Sequence, residues 1–289
     1  MNGYINCHKK MENMKYDLTS YCDIKKAIAS KEYASENHLI VKKIKINEKY
    51  LYIIKYDRKF ININNEKTLG MFKSVICDEE QVYSFSTPKK TTFGNFIQNN
   101  SAKDCYFEQF VEGTMINLFH NKITDEWEVS TRSRIGAKCK FFKDVKFTYR
   151  YMFLDALNKM NIDFDIFDKS KCYSFVLQHP DNKLVLPVDE AKVWLVDVFK
   201  CEGFEVTQLN SRIEAVSLNV PYPLPFAKVF NEVVDNESNS LKNNTGRNYL
   251  HVIFNWEHLT NLIKEYVEDN NIYKLCGVIV KNSKGERTL

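Results

Sequence analysis

Residues 105–137, CYFEQFVEGTMINLFHNKITDEWEVSTRSRIGA, decide how the rest of the chain reads. A β-type run ends at the acidic residue and glycine of Glu112–Gly113, with Thr114 completing a turn that opens an apolar strand. Glycine there gives the backbone access to positive φ. The polar residues between His120 and Glu126 make hairpin-turn material, and Trp127 leads a further strand into Thr131-Arg132-Ser133. Strand, turn, strand, hairpin and strand in so short a span predict an antiparallel sheet.

The same pattern extends outward. Upstream, Ile44 and Ile46, a polar turn at Asn47–Lys49, and Tyr50, Tyr52, Ile54 and Tyr56 predict a β-hairpin with one face buried. Residues 19–36 predict one helix capped by Thr19 or Ser20, with Ile24, Ala27 and Ile28 on one face. Short strands are expected near 73–77, 81–86, 113–119 and 127–132, and a helix at 148–160, where Tyr149, Met152, Phe153, Ala156, Leu157 and Met160 keep the helical period. Strands follow at Tyr173–Gln178, Lys183–Pro187, Val193–Phe199 and Glu205–Leu209. The prolines of VPYPLPF (220–226) are expected to hand over to a helix near 226–234, before the polar tract 236–248. HVIFNW reads as a strand, a last helix starts after Asn255, and a strand at Leu275–Lys281 ends in a turn at Asn282–Gly285. The fold class is α+β with largely antiparallel sheets.

Composition narrows the function classes. The chain has 289 residues, 44% hydrophobic and 27% charged, enough for one large domain or a main domain with an appendage. A net charge of +4 allows a nucleic-acid partner through a local patch without requiring one. Eight cysteines form no CxxC pair, so zinc-site spacing is absent and no metal site is expected. The sequence shows neither a signal-type h-region nor an apolar run long enough for a bilayer, which predicts a cytoplasmic protein with reduced thiols and no membrane partner. The abundance of Asn, Lys, Ile and Tyr suggests an AT-rich genome.

The 105–137 stretch resembles the nucleophile region of phage-type RNA ligases, where Lys-x-Asp-Gly-Ser precedes a strand, a hairpin and a Thr-Lys/Arg-Gly-Ser element. It is also similar to ligase-like proteins of large DNA viruses. YSFSTPKKTTFGNF (83–96) resembles the Arg-Pro-x-x-Lys-Phe-Phe-Asn stretch that precedes the nucleophile in those ligases. YSFVLQHPDNKLVLP (173–187) resembles the Phe-Glu…Pro-x-Asn-Arg-Ile-Val motif, and LCGVIVKNSKGERTL (275–289) the Glu-Gly-x-Val motif running into a lysine-bearing strand. The resemblance implies an RNA ligase-like nucleotidyltransferase core over 70–289, its last motif strand cut short at Leu289. Residues 1–69 would be a helix-and-hairpin extension packed on that core. It further implies ATP and Mg2+ as cofactors, and nucleotide or RNA as partners, in the host cytoplasm if the source is viral.

The departures fall on the chemistry. With Glu112–Gly113 set on the Asp-Gly pair, Phe110 takes the nucleophile's place, while Val176 and Cys276 take those of two glutamates. Phenylalanine cannot attack the α-phosphorus of ATP, and valine cannot hold a metal. Two readings follow. One is a catalytically degenerate protein that binds nucleotide or RNA ends. The other is an active ATP-dependent RNA or polynucleotide ligase, or another nucleotidyltransferase, using Lys90 as a relocated nucleophile. A third, from another class, is a structural or interaction protein that keeps only the fold.

The candidate nucleotide-binding residues are Lys89, Lys90, Glu112, Gly113, Arg132 and Lys281, around a cleft between antiparallel sheets. Each has a plainer reading: Lys89–Lys90 as a solvated loop pair, Glu112–Gly113 as a tight turn, Arg132 as an exposed strand end. Arg134, Lys138 and Lys140, with Lys143 and the interleaved Phe141 and Phe142, form a basic and aromatic run suited to single-stranded nucleic acid, or simply a soluble surface. His179, His251 and His258 read as structural, and Asp163–Asp168 as loop material. Cys105, Cys139 and Cys172 read as small buried side chains.

Overall fold

The computed structural model describes residues 13–140, 146–182, 187–223, 225–229, 251–253, 255–268, 276–282 and 285–289. The chain divides into two compact units, Asn13–Lys89 with Glu112–Tyr222, and Lys90–Val111 with Pro223–Leu289 and the N-terminal residues.

The first of these holds two antiparallel sheets. Seven strands run in the order Lys15–Asp17, Glu205–Leu209, Lys192–Glu202, Lys171–Gln178, Thr114–Asn121, Glu126–Thr131 and Arg134–Ile135. Four more run Leu39–Ile46, Lys49–Tyr56, Val75–Cys77 and Val82–Phe85. The expected hairpin forms about Asn47, whose positive φ of 53° suits asparagine in a two-residue turn. Its second strand is buried on both faces rather than one: it lies inside the sheet, paired on its far side with Val75–Cys77, and consecutive Leu51, Tyr52, Ile53 and Ile54 all pack into the core.

The single helix expected over 19–36 is broken. Leu18–Ser20 is a 3-10 turn, and Ile24–Ala29 and Lys31–Glu36 are separate helices. Two side chains compete to start a helix: Asp23 accepts the Lys26 amide and Ser30 accepts the Tyr33 amide, which holds Ser30 in an extended conformation. The helix Tyr149–Lys159 matches its expectation and buries Met152, Phe153, Ala156 and Leu157. A helix at Ser211–Leu218 was not expected; Asn210 caps it. Cys105 and Cys172 are buried, and Cys139 is half-buried.

The other unit is built on a five-stranded sheet in the order His251–Ile253, Pro225–Val229, Cys105–Gln109, Val278–Asn282 and Arg287–Thr288. Only its first pair is parallel. Pro225–Val229 is therefore a strand where a helix was expected near 226: the chain pairs with Cys105–Gln109 at Ala227↔Phe107, and proline is tolerated at a strand's first residue. The remainder of that expected helix, the tract 236–248, Lys183–Leu186 and Phe141–Lys143 lie outside the described residues. Helices Phe93–Asn99 and Trp256–Glu268 cover the sheet. Trp256 meets Phe93, Phe96 and Phe107 edge-on, and its indole N–H donates to the Asn100 carbonyl at 3.0 Å. Among the described residues no helix is long and apolar enough to cross a membrane.

Candidate functional site

One face of the five-stranded sheet gathers much of the expected chemistry. Lys281 and Arg287 are cross-strand partners, so their side chains leave the sheet on the same side. Glu108 lies diagonally on the neighbouring strand, and its carboxylate closes on the Lys281 Nζ at 2.6 Å. Both Lys281 and Arg287 are buried. Phe110 continues the Glu108 strand, its amide donating to the Gly277 carbonyl at 2.9 Å. The Lys90 ammonium sits 4.7 Å from the centre of the Phe110 ring. The backbone beside it is clasped by the Arg287–Thr288 strand: the Thr91 amide donates to the Arg287 carbonyl at 2.9 Å, and the Thr288 hydroxyl donates to the Thr91 carbonyl at 2.9 Å.

Two effects pull on the Lys90 amine in opposite directions. The ring face favours the ammonium, by about 0.5–2 kcal/mol between an exposed and a desolvated site. Burial, seconded by the positive charge of Arg287, disfavours it and wins, holding the amine below the usual lysine range. The lysine of the Pro-led loop is thus laid over the Phe110 ring.

The other expected residues are placed separately, in the larger unit. Lys89 reaches the enclosed Glu66 carboxylate at 3.5 Å, and its amide donates to the Gly70 carbonyl at 3.0 Å. Glu112 is half-buried and its carbonyl accepts the Gln178 amide at 2.9 Å. Gly113 has φ +148°, and a Cβ there would meet the Leu177 carbonyl oxygen at 2.5 Å and Val176 Cγ1 at 2.7 Å. The glycine is required by the close approach of the Lys171–Gln178 strand, with Val176 filling the space above it. Arg132 donates its Nε proton to the Lys73 carbonyl at 3.0 Å and lays its guanidinium over Tyr56, 4.8 Å away. Arg134, Lys138 and Lys140 are exposed.

His179 is buried and held at both ring nitrogens. Its Nδ1 accepts the Asp181 amide at 3.1 Å, which leaves Nε2–H to donate to Asp155 at 3.1 Å. The described residues contain no convergent group of three His, Cys, Asp or Glu side chains. Among the described residues of the Lys90 face, the Glu108 carboxylate is engaged by Lys281, so this donor set does not fit a divalent cation.

Sequence reasoning missed a polar row crossing the seven-stranded sheet. Ser130, Asn117, Ser174 and Asp197 are successive cross-strand partners, and all are enclosed. Thr87 donates to Asp197, Gln208 donates to the same carboxylate at 2.7 Å, and Asn117 donates to Ser86 at 2.5 Å. The one legible signal was an aspartate inside the apolar run VWLVDVF. Arg287 and Glu108 were missed because strand register, invisible in the sequence, brings them beside Lys281.

Neither a family model nor a curated protein sequence matches the chain. Among solved structures it is similar to one named "Putative ATP-dependent DNA ligase from Aquifex aeolicus", with a TM-score of 0.51 and 13% identity over 89% of this chain. The fold is that of ligase-type nucleotidyltransferase cores. This chain spans 60% of the length of the Aquifex protein. Two forms of an archaeal ATP-dependent RNA ligase align over 91% of this chain and 61% of theirs, with identities of 9% and 10% and TM-scores of 0.46 and 0.47.

Proposed function

We propose that this ligase-like protein binds a nucleotide, and RNA ends, without standard lysine adenylylation. The observation that carries this reading is the face bearing half-buried Lys90 with buried Lys281 and Arg287, where the Glu108 carboxylate meets Lys281. Guanidinium and ammonium groups both bind phosphate oxygens, so a face that gathers three of them suits a nucleotide polyphosphate. Arg134, Lys138 and Lys140 would take part in holding the nucleic acid. Loss of the motif lysine and of two glutamates argues that catalysis has degenerated.

A specific observation favours the active enzyme as a second reading. Lys90 lies over the ring in the nucleophile's place, and its amine is held below the usual range, so a larger fraction is neutral and able to attack. Attack on the α-phosphorus of ATP would form an N–P bond and break the bond to the β-phosphate oxygen. Pyrophosphate would leave, and the amine would lose its proton to solvent.

Incubation with α-labelled ATP or GTP and Mg2+ or Mn2+ separates the two, alongside calorimetric titration of ATP. Saturable binding that Lys281→Ala weakens, with no covalent label, supports the degenerate binder. A label that survives denaturation and vanishes in Lys90→Ala establishes the relocated nucleophile. Absence of both binding and label would leave a protein that keeps only the fold.

A further inference from the structure

A second constellation lies on the four-stranded sheet. Residues 39–60 hold seven basic residues against two acidic ones, a bias far stronger than the chain's net +4 implies. Lys55 donates to the Ser133 hydroxyl at 2.9 Å, beside the Arg132 guanidinium that Tyr56 and the Lys73 carbonyl hold in place. Arg132, Arg58 and Lys42 all act on the half-buried Lys55 amine, and with burial as the larger cause they hold it below the usual lysine range. Among the described residues, the partners of Lys55 and Arg132 are a hydroxyl, a carbonyl and a ring. The nearest carboxylate in sequence, Asp57, accepts the Lys59 amide at 3.0 Å. Cations gathered without a compensating carboxylate repel one another, and an arriving anion relieves that repulsion.

The same turn carries an exposed aromatic stack. Phe60 is 45% exposed, with its ring parallel to that of His38 at 4.1 Å and 8°. The His38 carbonyl accepts the Asp57 amide at 2.8 Å, which ties the stack to the turn that bears Arg58. His38, Phe60, Ile40, Lys43 and Asp57 are among the residues that line a surface groove of about 400 Å³. Close by on the hairpin, the Lys43 ammonium lies 3.9 Å over the exposed Tyr50 ring.

We propose that this surface binds a single-stranded polynucleotide, its phosphates held by Lys42, Lys55, Arg58 and Arg132 and a base resting on the Phe60–His38 stack. Cations alone would suit an acidic polypeptide equally well; a flat, exposed ring beside them suits a base, because every base has a π face and a polypeptide carboxylate does not. The proposal rests on the nucleic-acid half of the reading above and is independent of nucleotide binding.

The test is fluorescence anisotropy of the full chain with a labelled oligouridylate about 20 nucleotides long, longer than the roughly 4–16 nucleotides a single-strand site covers, over a salt series. Lys42→Gln/Arg58→Gln alters two exposed side chains and should leave the thermal midpoint unchanged. It should weaken binding and flatten the salt dependence by about 1.4 in log–log slope, since each phosphate contact on a single strand contributes about 0.7. Phe60→Ala should lower affinity roughly 5- to 150-fold, the equivalent of about 1–3 kcal/mol for one stacked base, with the salt slope kept. Lys90→Ala should leave oligonucleotide binding intact, so failure of the nucleotide reading and failure of this one are told apart. An unchanged slope in the double variant overturns the proposal, as does no binding by the parent protein. Equal, variant-sensitive binding of polyglutamate would assign the surface to an acidic polypeptide instead and overturn it as well.

Discussion

Gly113 has a packing reason of its own, whatever the site it was expected to line. Its place beside Glu112 suggested a turn, but the reason for glycine is the backbone of the neighbouring strand: a Cβ would sit 2.5 Å from the Leu177 carbonyl oxygen. Gly113→Ala should therefore cost about 2–4 kcal/mol, from overpacking and from a side chain held at positive φ. Urea unfolding measures this, and a loss under about 0.5 kcal/mol would mean that the two strands do not approach so closely. Lys90 carries a different residue-scale prediction. Burial and Arg287 depress its amine, so competitive acetylation followed by mass spectrometry should show Lys90 reacting at lower pH than an ordinary lysine side chain. The sign for stability follows: protonating this amine in the fold is disfavoured, so the cost is present below its folded value and is relieved as pH rises through that value towards the usual lysine range. Arg287→Gln removes one of the two causes and should shift the Lys90 profile upward. A Lys90 midpoint no lower than that of an ordinary lysine side chain would sink the prediction.

At the scale of elements, alternation and turn chemistry made most strands legible, and the hairpin about Asn47 formed where its residues placed it. What local pattern could not show was competition and pairing. Residues 19–36 carry a helical period, yet two capping side chains split them, so Ser30→Ala should cost about 1 kcal/mol by leaving the Tyr33 amide without its acceptor. Prolines before residue 226 suggested a helix start, but an open edge on the Cys105–Gln109 strand took that segment as a strand. The buried polar row escaped notice because each member sits alone in an apolar strand, and only the sheet assembles them. Asp197 is its most costly member. Asp197→Ala would leave the Gln208 amide and the Thr87 hydroxyl without their acceptor, and should destabilise by about 3–5 kcal/mol. Asp197→Asn, which keeps an acceptor oxygen, should lose less. Chemical denaturation of the two variants decides this, and equal losses would show that the carboxylate is not the hub.

At the scale of the whole molecule, the likeness to a ligase-type core gives the architecture, while the altered residues argue over its use. Lys90 and Lys281 belong to one compact unit, and the basic hairpin with Arg132 belongs to the other, so the two binding proposals rest on different hydrogen-bonded sheets. That separation gives a prediction for hydrogen exchange. ATP should slow exchange of amides in the Cys105–Gln109 and Val278–Asn282 strands, because a bound polyphosphate bridges side chains on that face and makes local opening rarer. At about 100 times its dissociation constant a ligand adds roughly 2.7 kcal/mol to the state it binds, about a hundredfold slowing wherever exchange requires that state to open. An oligouridylate should instead slow exchange in the Leu39–Ile46 and Lys49–Tyr56 hairpin, whose first strand lies at the sheet's edge. Protection of the hairpin by ATP alone, with the 105–109 and 278–282 amides unaffected, would reverse the assignment. The nucleotide's phosphates would then belong to the Arg132 cluster, and the face over Phe110 would be left with a purely structural lysine.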